Sequence, residues 1–149
     1  MKFPQLLVIC TLASAASYPT YGNSEKTWDD ISNVGVYSLM GTALLLPTVR
    51  DDWEGLRQAV YSVGAGAAIT LTGKTLIDSE RPDESGDDSF PSGHATNAFS
   101  SATTLHRRYG WKIGVPAYAV ATLTGVARER AREHHWYDVV AGAVIGTAT

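Results

Sequence analysis

Residues 53–77 read WEGLRQAVYSVGAGAAITLTGKTLI, and the apolar side chains in this stretch recur at steps of three and four residues. This period is typical of an α-helix that buries one face. Gly64, Gly66 and Gly73 lower the helix propensity, but such small residues also let a neighbouring helix approach closely. The stretch therefore predicts a long, packed helix with Lys74 near its end.

The remaining chain shows four more helical patterns and no alternation of polar and apolar residues that would indicate a strand. Polar residues 18–30 predict a loop, with Asp29 or Asp30 as the N-cap of the next helix. Pro91 predicts a helix start and Gly110 a helix end. The further helices are predicted at about 31–46, 93–107, 113–128 and 136–149. The predicted fold class is all-α, a compact bundle of about five or six helices with its candidate active site at helix ends.

The first residues predict a targeting segment. Lys2 supplies a positive start, residues 6–13 are apolar, and Ala13-Ser14-Ala15 has the small-residue spacing of a cleavage site. We expect a signal peptide over residues 1–15 and a mature helical domain over 16–149, exported to a bacterial periplasm; a short amphipathic helix is the alternative. Cleavage would remove Cys10, the single cysteine, so no disulfide is expected. The last helical pattern stops abruptly, which predicts a short or truncated final helix.

Length and charge narrow the class of protein. A chain of 149 residues predicts one domain, and a formal net charge of −3 without a Lys/Arg stripe argues against nucleic acid as a partner. The apolar segments are interrupted by polar residues, and the mean hydropathy is −0.07. These features favour a soluble protein or one in peripheral contact with a membrane over an integral one.

Three short clusters combine cations, histidines, a glycine turn and a carboxylate. Cations and the amides of a glycine-rich helix start bind tetrahedral oxyanions. A histidine held by an aspartate can attack phosphorus, and a second histidine can protonate the leaving group. The pattern indicates phosphate transfer without a metal. The clusters are Lys74, Arg81 and Pro82; Pro91-Ser92-Gly93-His94; and Arg128, His134 and Asp138.

The first two clusters predict a phosphate-binding site. Arg81 offers a planar fork for two oxygens, and Lys74 offers a mobile point charge. Gly93 lets an anion approach the N–H groups of a helix start. The plainer alternatives are cations that complement a helix dipole and a Ser92 that only caps its helix.

The third cluster predicts a nucleophile. Residues four apart share a helix face, so Asp138 can accept the Nδ1 proton of His134 and leave Nε2 free to attack. The plainer alternative for this pair is a surface ion pair of little energetic value. His106 lies beside two arginines at a predicted helix end, where a solvated histidine is expected.

In order and spacing, the clusters resemble the motifs of the type 2 phosphatidic acid phosphatase superfamily, which includes lipid phosphate phosphatases, bacterial non-specific acid phosphatases and vanadium-dependent haloperoxidases. The resemblance covers about residues 74–146. It implies a phosphatase of lipid phosphates or related esters that needs no cofactor and that vanadate inhibits. It also implies that His134 is phosphorylated, that Asp138 orients it, and that His94 protonates the leaving oxygen. The implied phosphate-binding residues are Lys74, Arg81, Ser92, Gly93 and Arg128.

Three features of the sequence affect what this resemblance implies about the nucleophile, the activity and the class of enzyme. His135 lies one position too far from Arg128 to be the nucleophile of the pattern. Ala127 stands where the family usually has serine, which predicts reduced activity. The short span from Pro82 to Pro91 favours a phosphatase over a haloperoxidase that would hold vanadate as a cofactor.

Two alternatives to a lipid phosphatase remain open at the level of sequence. A catalytically silent module could bind phosphate or lipid, although the intact histidine pair argues against it. The acidic loop at 78–88 could suggest a metal site, but a solvated loop is the preferred interpretation. The motifs describe only the phosphate, so the substrate could be a lipid phosphate, an isoprenyl pyrophosphate, lipid A or a soluble ester. No pattern predicts an oligomeric state.

Overall fold

The computed structural model describes residues 24–149, and the predicted signal peptide lies outside the described residues. Within this range the secondary structure consists of five α-helices and one isolated β-bridge between Ser79 and Asp88. The all-α prediction is confirmed. The helices are α1 (Ser24–Val49), α2 (Trp53–Leu76), α3 (Gly93–Tyr109), α4 (Trp111–Arg130) and α5 (Trp136–Ala148).

The first helix begins earlier than predicted. α1 starts at Ser24, so the polar residues up to Asp30 are helical and do not form a loop, and neither predicted aspartate is an N-cap. The Asp29 carboxylate accepts hydrogen bonds from Asn33 Nδ2 at 3.0 Å and from Arg128 of α4. These contacts stabilise a polar first turn that local sequence signals do not mark as helical. The other four helices lie within a turn of their predicted bounds.

α3 is the central helix and packs against each of the other four. Its buried positions carry mainly small side chains, which let the neighbouring helices approach closely. Leu105 is the one large apolar side chain buried on this helix. The core is completed by residues of α1, α2 and α4, namely Val36, Leu39, Ala43, Ala59, Ala117 and Ala121.

Asp52 links α2 to α3 at the end of the bundle opposite the three clusters. This residue caps α2 by accepting from Gly55 N at 3.0 Å, and it accepts from Arg108 Nε at 2.8 Å and from the Tyr109 hydroxyl at 3.0 Å. The hydrogen bond from Arg108 holds the pKa of Asp52 below its usual range. The start of α2 is thereby joined to the end of α3.

The outer faces of the other helices carry large apolar side chains. Val49 is 75% exposed and Leu76 is 77% exposed, and tryptophans at the first residue of α2, α4 and α5 are exposed as well. One helix in residues 24–149, α1, is long and apolar enough to cross a membrane by length and composition. Exposed large apolar side chains thus lie on all four helices around α3.

α5 lies so close to the start of α3 that a side chain cannot be accommodated at Gly142. A Cβ atom there would lie 2.5 Å from the carbonyl oxygen of Ser92 and 3.1 Å from Ala95 Cβ. At the same contact, Ser92 N donates to the carbonyl oxygen of Asp138 at 3.1 Å. The glycine therefore brings the second and third clusters together.

We expect Gly142→Ala to lower the free energy of unfolding by about 1–3 kcal/mol, because the new methyl group forces α5 away from α3. Gly64→Ala is the matched control, since a Cβ there meets no atom within 4 Å. It should stabilise the protein by about 0.5–1 kcal/mol through the higher helix propensity of alanine. The free energies of unfolding of both variants are measured by denaturation followed by circular dichroism. Equal stabilisation of the protein by the two substitutions would contradict the close approach of α5 to α3.

Candidate active site

The three clusters meet at one end of the bundle. Lys74 lies in the last turn of α2, His94 in the first turn of α3 and Arg128 in the last turn of α4. The connections α2–α3 and α4–α5 bring in Arg81 and His134. The positive charges of all three cations act on both histidines and lower their pKa values. The structure thus assembles the site residues that the sequence spacing predicted to be neighbours.

Asp88 joins the two cations of the first cluster. Arg81 Nε and Nη2 donate to its two carboxylate oxygens at 2.8 and 3.2 Å, while Lys74 Nζ donates to its backbone carbonyl and lies 3.6 Å from Oδ2. The hydrogen bond with Arg81 lowers the pKa of Asp88 to about 2. Burial lowers the pKa of Lys74. Asp88 is therefore part of the site and not only part of a solvated loop.

Glu133 bridges the two arginines. Its Oε2 accepts from Arg81 Nη1 and from Arg128 Nη2, the latter at 3.0 Å. Arg128 Nη1 donates to Asp29 and also to Ser32 Oγ at 3.3 Å. Arg128 is only 5% exposed, and its buried Nε has no hydrogen-bond partner among residues 24–149. One donor of this arginine thus has no acceptor among the described residues.

The start of α3 is built as the sequence predicted. Ser92 is the N-cap, and its Oγ accepts from Ala95 N at 3.5 Å. A Cβ atom at Gly93 would meet only Thr70 Cγ2, at an ordinary contact distance of 3.6 Å. Packing of the described residues therefore does not require glycine at this position.

His94 is held by a residue of α1 that the sequence did not suggest. Its Nε2 lies 2.8 Å from Asn33 Oδ1. Because the Asn33 amide nitrogen donates to Asp29, its oxygen faces the imidazole, and His94 Nε2 carries a proton. Burial, and then the charge of Arg128, lowers the pKa of His94 to about 4. The ring is thus neutral near pH 7 when no anion balances the cations.

His134 does not form the expected direct hydrogen bond with Asp138. Their closest atoms, Nδ1 and Oδ2, are 4.0 Å apart. The prediction assumed one helix face, but α5 begins at Trp136, so His134 precedes the helix. Asp138 instead completes a capping box, in which His135 N donates to Oδ2 at 2.8 Å and His135 Nδ1 lies 3.2 Å away.

A serine that the sequence reasoning missed lies between the two residues. Ser89 Oγ is 2.6 Å from Asp138 Oδ2 and 3.4 Å from His134 Nδ1. His134 is 2% exposed, and burial, followed by the charge of Arg128, lowers its pKa to about 3. The imidazole is therefore neutral near pH 7, as a nucleophile requires. No simple sequence signal identifies Ser89 beyond its position two residues before Pro91, the first residue of the second cluster.

A polar cavity of about 370 Å³ opens beside Arg81. His135 lies at this cavity and stacks on Tyr137, with ring centroids 4.8 Å apart and an interplanar angle of 8°. The two neighbouring histidines are therefore distinct, since His134 is buried against Ser89 and His135 faces the open cavity. In the part of the chain that the structure describes, no group of three or more His, Cys, Asp or Glu side chains could hold a metal ion.

Two curated relatives match parts of this chain. A lipid A 1-phosphatase of Porphyromonas gingivalis is 39% identical over 77 residues, which is 50% of this chain and 17% of that protein. A lipid A 4'-phosphatase of Helicobacter pylori is 45% identical over 56 residues, which is 38% of this chain and 28% of that protein. The chain thus spans well under a third of the length of either relative.

Two solved structures have the same fold. LpxE of Aquifex aeolicus has a TM-score of 0.72 and 23% identity, covering 99% of this chain and 93% of that one. A transmembrane PAP2-type phosphatidylglycerolphosphate phosphatase of Bacillus subtilis has a TM-score of 0.66 and 21% identity, covering 94% and 78%. The family model of the PAP2 superfamily matches residues 55–149 and so includes all three clusters. The chain belongs to the PAP2 superfamily, that of the type 2 phosphatidic acid phosphatases, as its motifs predicted.

Proposed function

We propose that this protein is a metal-independent phosphatase that hydrolyses a lipid phosphomonoester through a phosphohistidine on His134. The observation that carries the proposal is the convergence of three cations on buried His134 and half-buried His94 at one end of the bundle. Family membership supports phosphate ester chemistry, and two relatives named as lipid A phosphatases support a phosphorylated lipid as substrate. The matched regions of these relatives are short, so experiment must identify the lipid.

Phosphate binding would use donors of the three cations, in competition with the carboxylates that accept from them in the free protein. The unpartnered Nε of Arg128 can donate to one oxygen, and Arg81 and Lys74 can donate to the others. Since packing does not require glycine at Gly93, its small size would serve the approach of an anion to the amides at the start of α3. These charges would stabilise the oxygens of the transferring phosphoryl group.

The chemical step would use the two histidines in opposite roles. Nε2 of neutral His134 attacks phosphorus, so the N–P bond forms while the bond to the leaving oxygen breaks. His94 gives a proton to that oxygen. Because the free site lowers the pKa of His94, the negative charge of bound phosphate must offset the cations before this histidine is protonated. Water then attacks the phosphohistidine and releases inorganic phosphate.

A bilayer is the medium that fits the exposed apolar faces. The sequence favoured a soluble or peripheral form because polar residues interrupt the apolar segments, but many of those polar residues face the interior. Ser32, Ser62 and Thr124 are buried, whereas Val49, Leu76 and other large apolar side chains are exposed. Lipid contact would also place the site near a lipid substrate. We also propose export to the periplasm, on the basis of the signal peptide predicted over residues 1–15.

Membrane contact is tested by extraction of membranes from cells that produce the protein. We expect the chain to remain in the membrane fraction through high salt and alkaline carbonate and to be released by detergent, because apolar contacts do not depend on charge. Release by salt alone would contradict an apolar contact.

The activity is tested on detergent-purified protein with phosphatidic acid, lipid A, an isoprenyl pyrophosphate and p-nitrophenyl phosphate. We expect phosphate release from a lipid substrate that survives EDTA and is inhibited by vanadate. His134→Ala should abolish turnover, whereas the matched control His135→Ala should retain most of it, because it keeps the backbone N–H that donates to Asp138. Loss of activity on chelation, restored by Mg²⁺ or Zn²⁺, would contradict the mechanism. So would an active His134→Ala with an inactive His135→Ala.

Glu133 occupies the position between Arg81 and Arg128 that a phosphate oxygen would take, so it must compete with the substrate. We expect Glu133→Gln to lower the inhibition constants of phosphate and vanadate by roughly three- to tenfold, which corresponds to about 1 kcal/mol of charge competition. Glu129→Gln is the matched control, since Glu129 pairs at 3.5 Å with Arg130, and both side chains are exposed. Unchanged or weaker inhibition of Glu133→Gln would show that Glu133 does not compete.

A further inference from the structure

We infer that Ser89 is a positioning residue that connects Asp138 to His134 and fixes the tautomer of the nucleophile. The inference rests on the proposed function and deepens it. Asp138 lies too far from His134 for a hydrogen bond, at 4.0 Å, while Ser89 Oγ contacts both residues. Ser89 is fully buried, so water does not compete for its hydroxyl.

The direction of the hydrogen bonds follows from the donor count. A serine hydroxyl has one proton, and the Asp138 carboxylate can only accept, so Ser89 donates to Oδ2 at 2.6 Å. Toward His134 the hydroxyl can then only accept, at 3.4 Å. His134 must therefore carry its proton on Nδ1 and present the lone pair of Nε2 to the phosphate. We expect this constraint on the tautomer to be lost when the hydroxyl is removed.

The surrounding contacts make Ser89 a fixed group. Its backbone N–H donates to the carbonyl of Ser79 at 2.8 Å, and Ser79 N donates to the carbonyl of Asp87 at 2.9 Å. The Ser89 backbone also acts on His134 in favour of its protonated form, against the lowering of its pKa by burial. Asp138 is in turn held by the capping box with His135. A buried, anchored hydroxyl can therefore transmit the orientation of Asp138 to His134 although those two residues do not touch.

The hydrogen bonds of Ser89 also affect the positive charge that develops on His134 during the reaction. When the Nε2–P bond forms, the imidazole gains a positive charge and keeps its Nδ1 proton. The hydroxyl dipole and the Asp138 carboxylate then face that charge through the Nδ1 contact.

The test is Ser89→Ala, with Ser89→Thr as the variant that keeps the hydroxyl and Ser101→Ala as the matched control. Ser101 is a buried serine whose Oγ has no hydrogen-bond partner within residues 24–149, so its loss should leave kcat unchanged. We expect Ser89→Ala to lower kcat by roughly 10–100-fold with little change in KM, as for other groups that orient a reacting histidine. Ser89→Thr should recover most of the loss.

A second readout does not depend on turnover. Imidazole ¹⁵N chemical shifts should show the Nδ1–H tautomer of His134 in the wild-type protein and a mixture of tautomers in Ser89→Ala. Wild-type kcat and an unchanged tautomer in Ser89→Ala would overturn the inference and assign the Nδ1 contact to the Ser89 backbone. A wild-type protein that releases no phosphate from any substrate would overturn the proposed function alone, because the tautomer measurement would still decide the role of Ser89.

Discussion

Repulsion among three cations at one end of the bundle is the constraint on which the site and much of its surroundings depend. Lys74, Arg81 and Arg128 would repel one another strongly in a poorly solvated site unless acidic groups balanced them. The counter-charges come from three separate parts of the chain, which are the first helix, the α2–α3 connection and the α4–α5 connection. They are Asp29, Asp88 and Glu133. Under the proposed function, an incoming phosphate competes with these carboxylates for the three cations.

The scaffold places this charged cluster against a tightly packed interior. Small residues along α3 let the other helices approach, and Gly142 lets α5 contact the start of α3. That contact joins the backbone of Ser92 to that of Asp138, so the helix start proposed to bind phosphate and the residue proposed to orient His134 form one packed unit. Burial in this unit lowers the pKa of His134, which keeps the nucleophile neutral while cations surround it.

Much of this arrangement follows from local sequence patterns. The apolar period of residues 53–77, Pro91 before α3 and Gly110 after it predicted the helices to within a turn. The motifs predicted which cations and histidines share the site, because their spacing is a property of short chain segments. The sequence did not predict that Asp29 and Asp30 are helical. The composition of this segment is typical of a loop, but a contact from Arg128 across the fold stabilises the helix there.

The missed residues are those whose role exists only in three dimensions. Glu133, Asn33 and Ser89 have no distinctive spacing, and each acts through a partner far away in the chain or on another segment. The direct link from His134 to Asp138 was expected from a helical spacing of four, but the helix starts two residues after His134. A spacing rule predicts proximity there, and only the fold shows that a hydroxyl lies between the two side chains.

The central claim is that His134 forms a covalent bond to phosphorus. The most direct measurement is rapid acid-free quenching of the enzyme with a ³²P-labelled lipid phosphate, followed by proteolysis and identification of the labelled peptide by mass spectrometry. We expect an acid-labile, alkali-stable label on His134, formed and lost at rates that account for turnover. A label on His135, or turnover by the active protein with no labelled histidine at any time, would contradict this account.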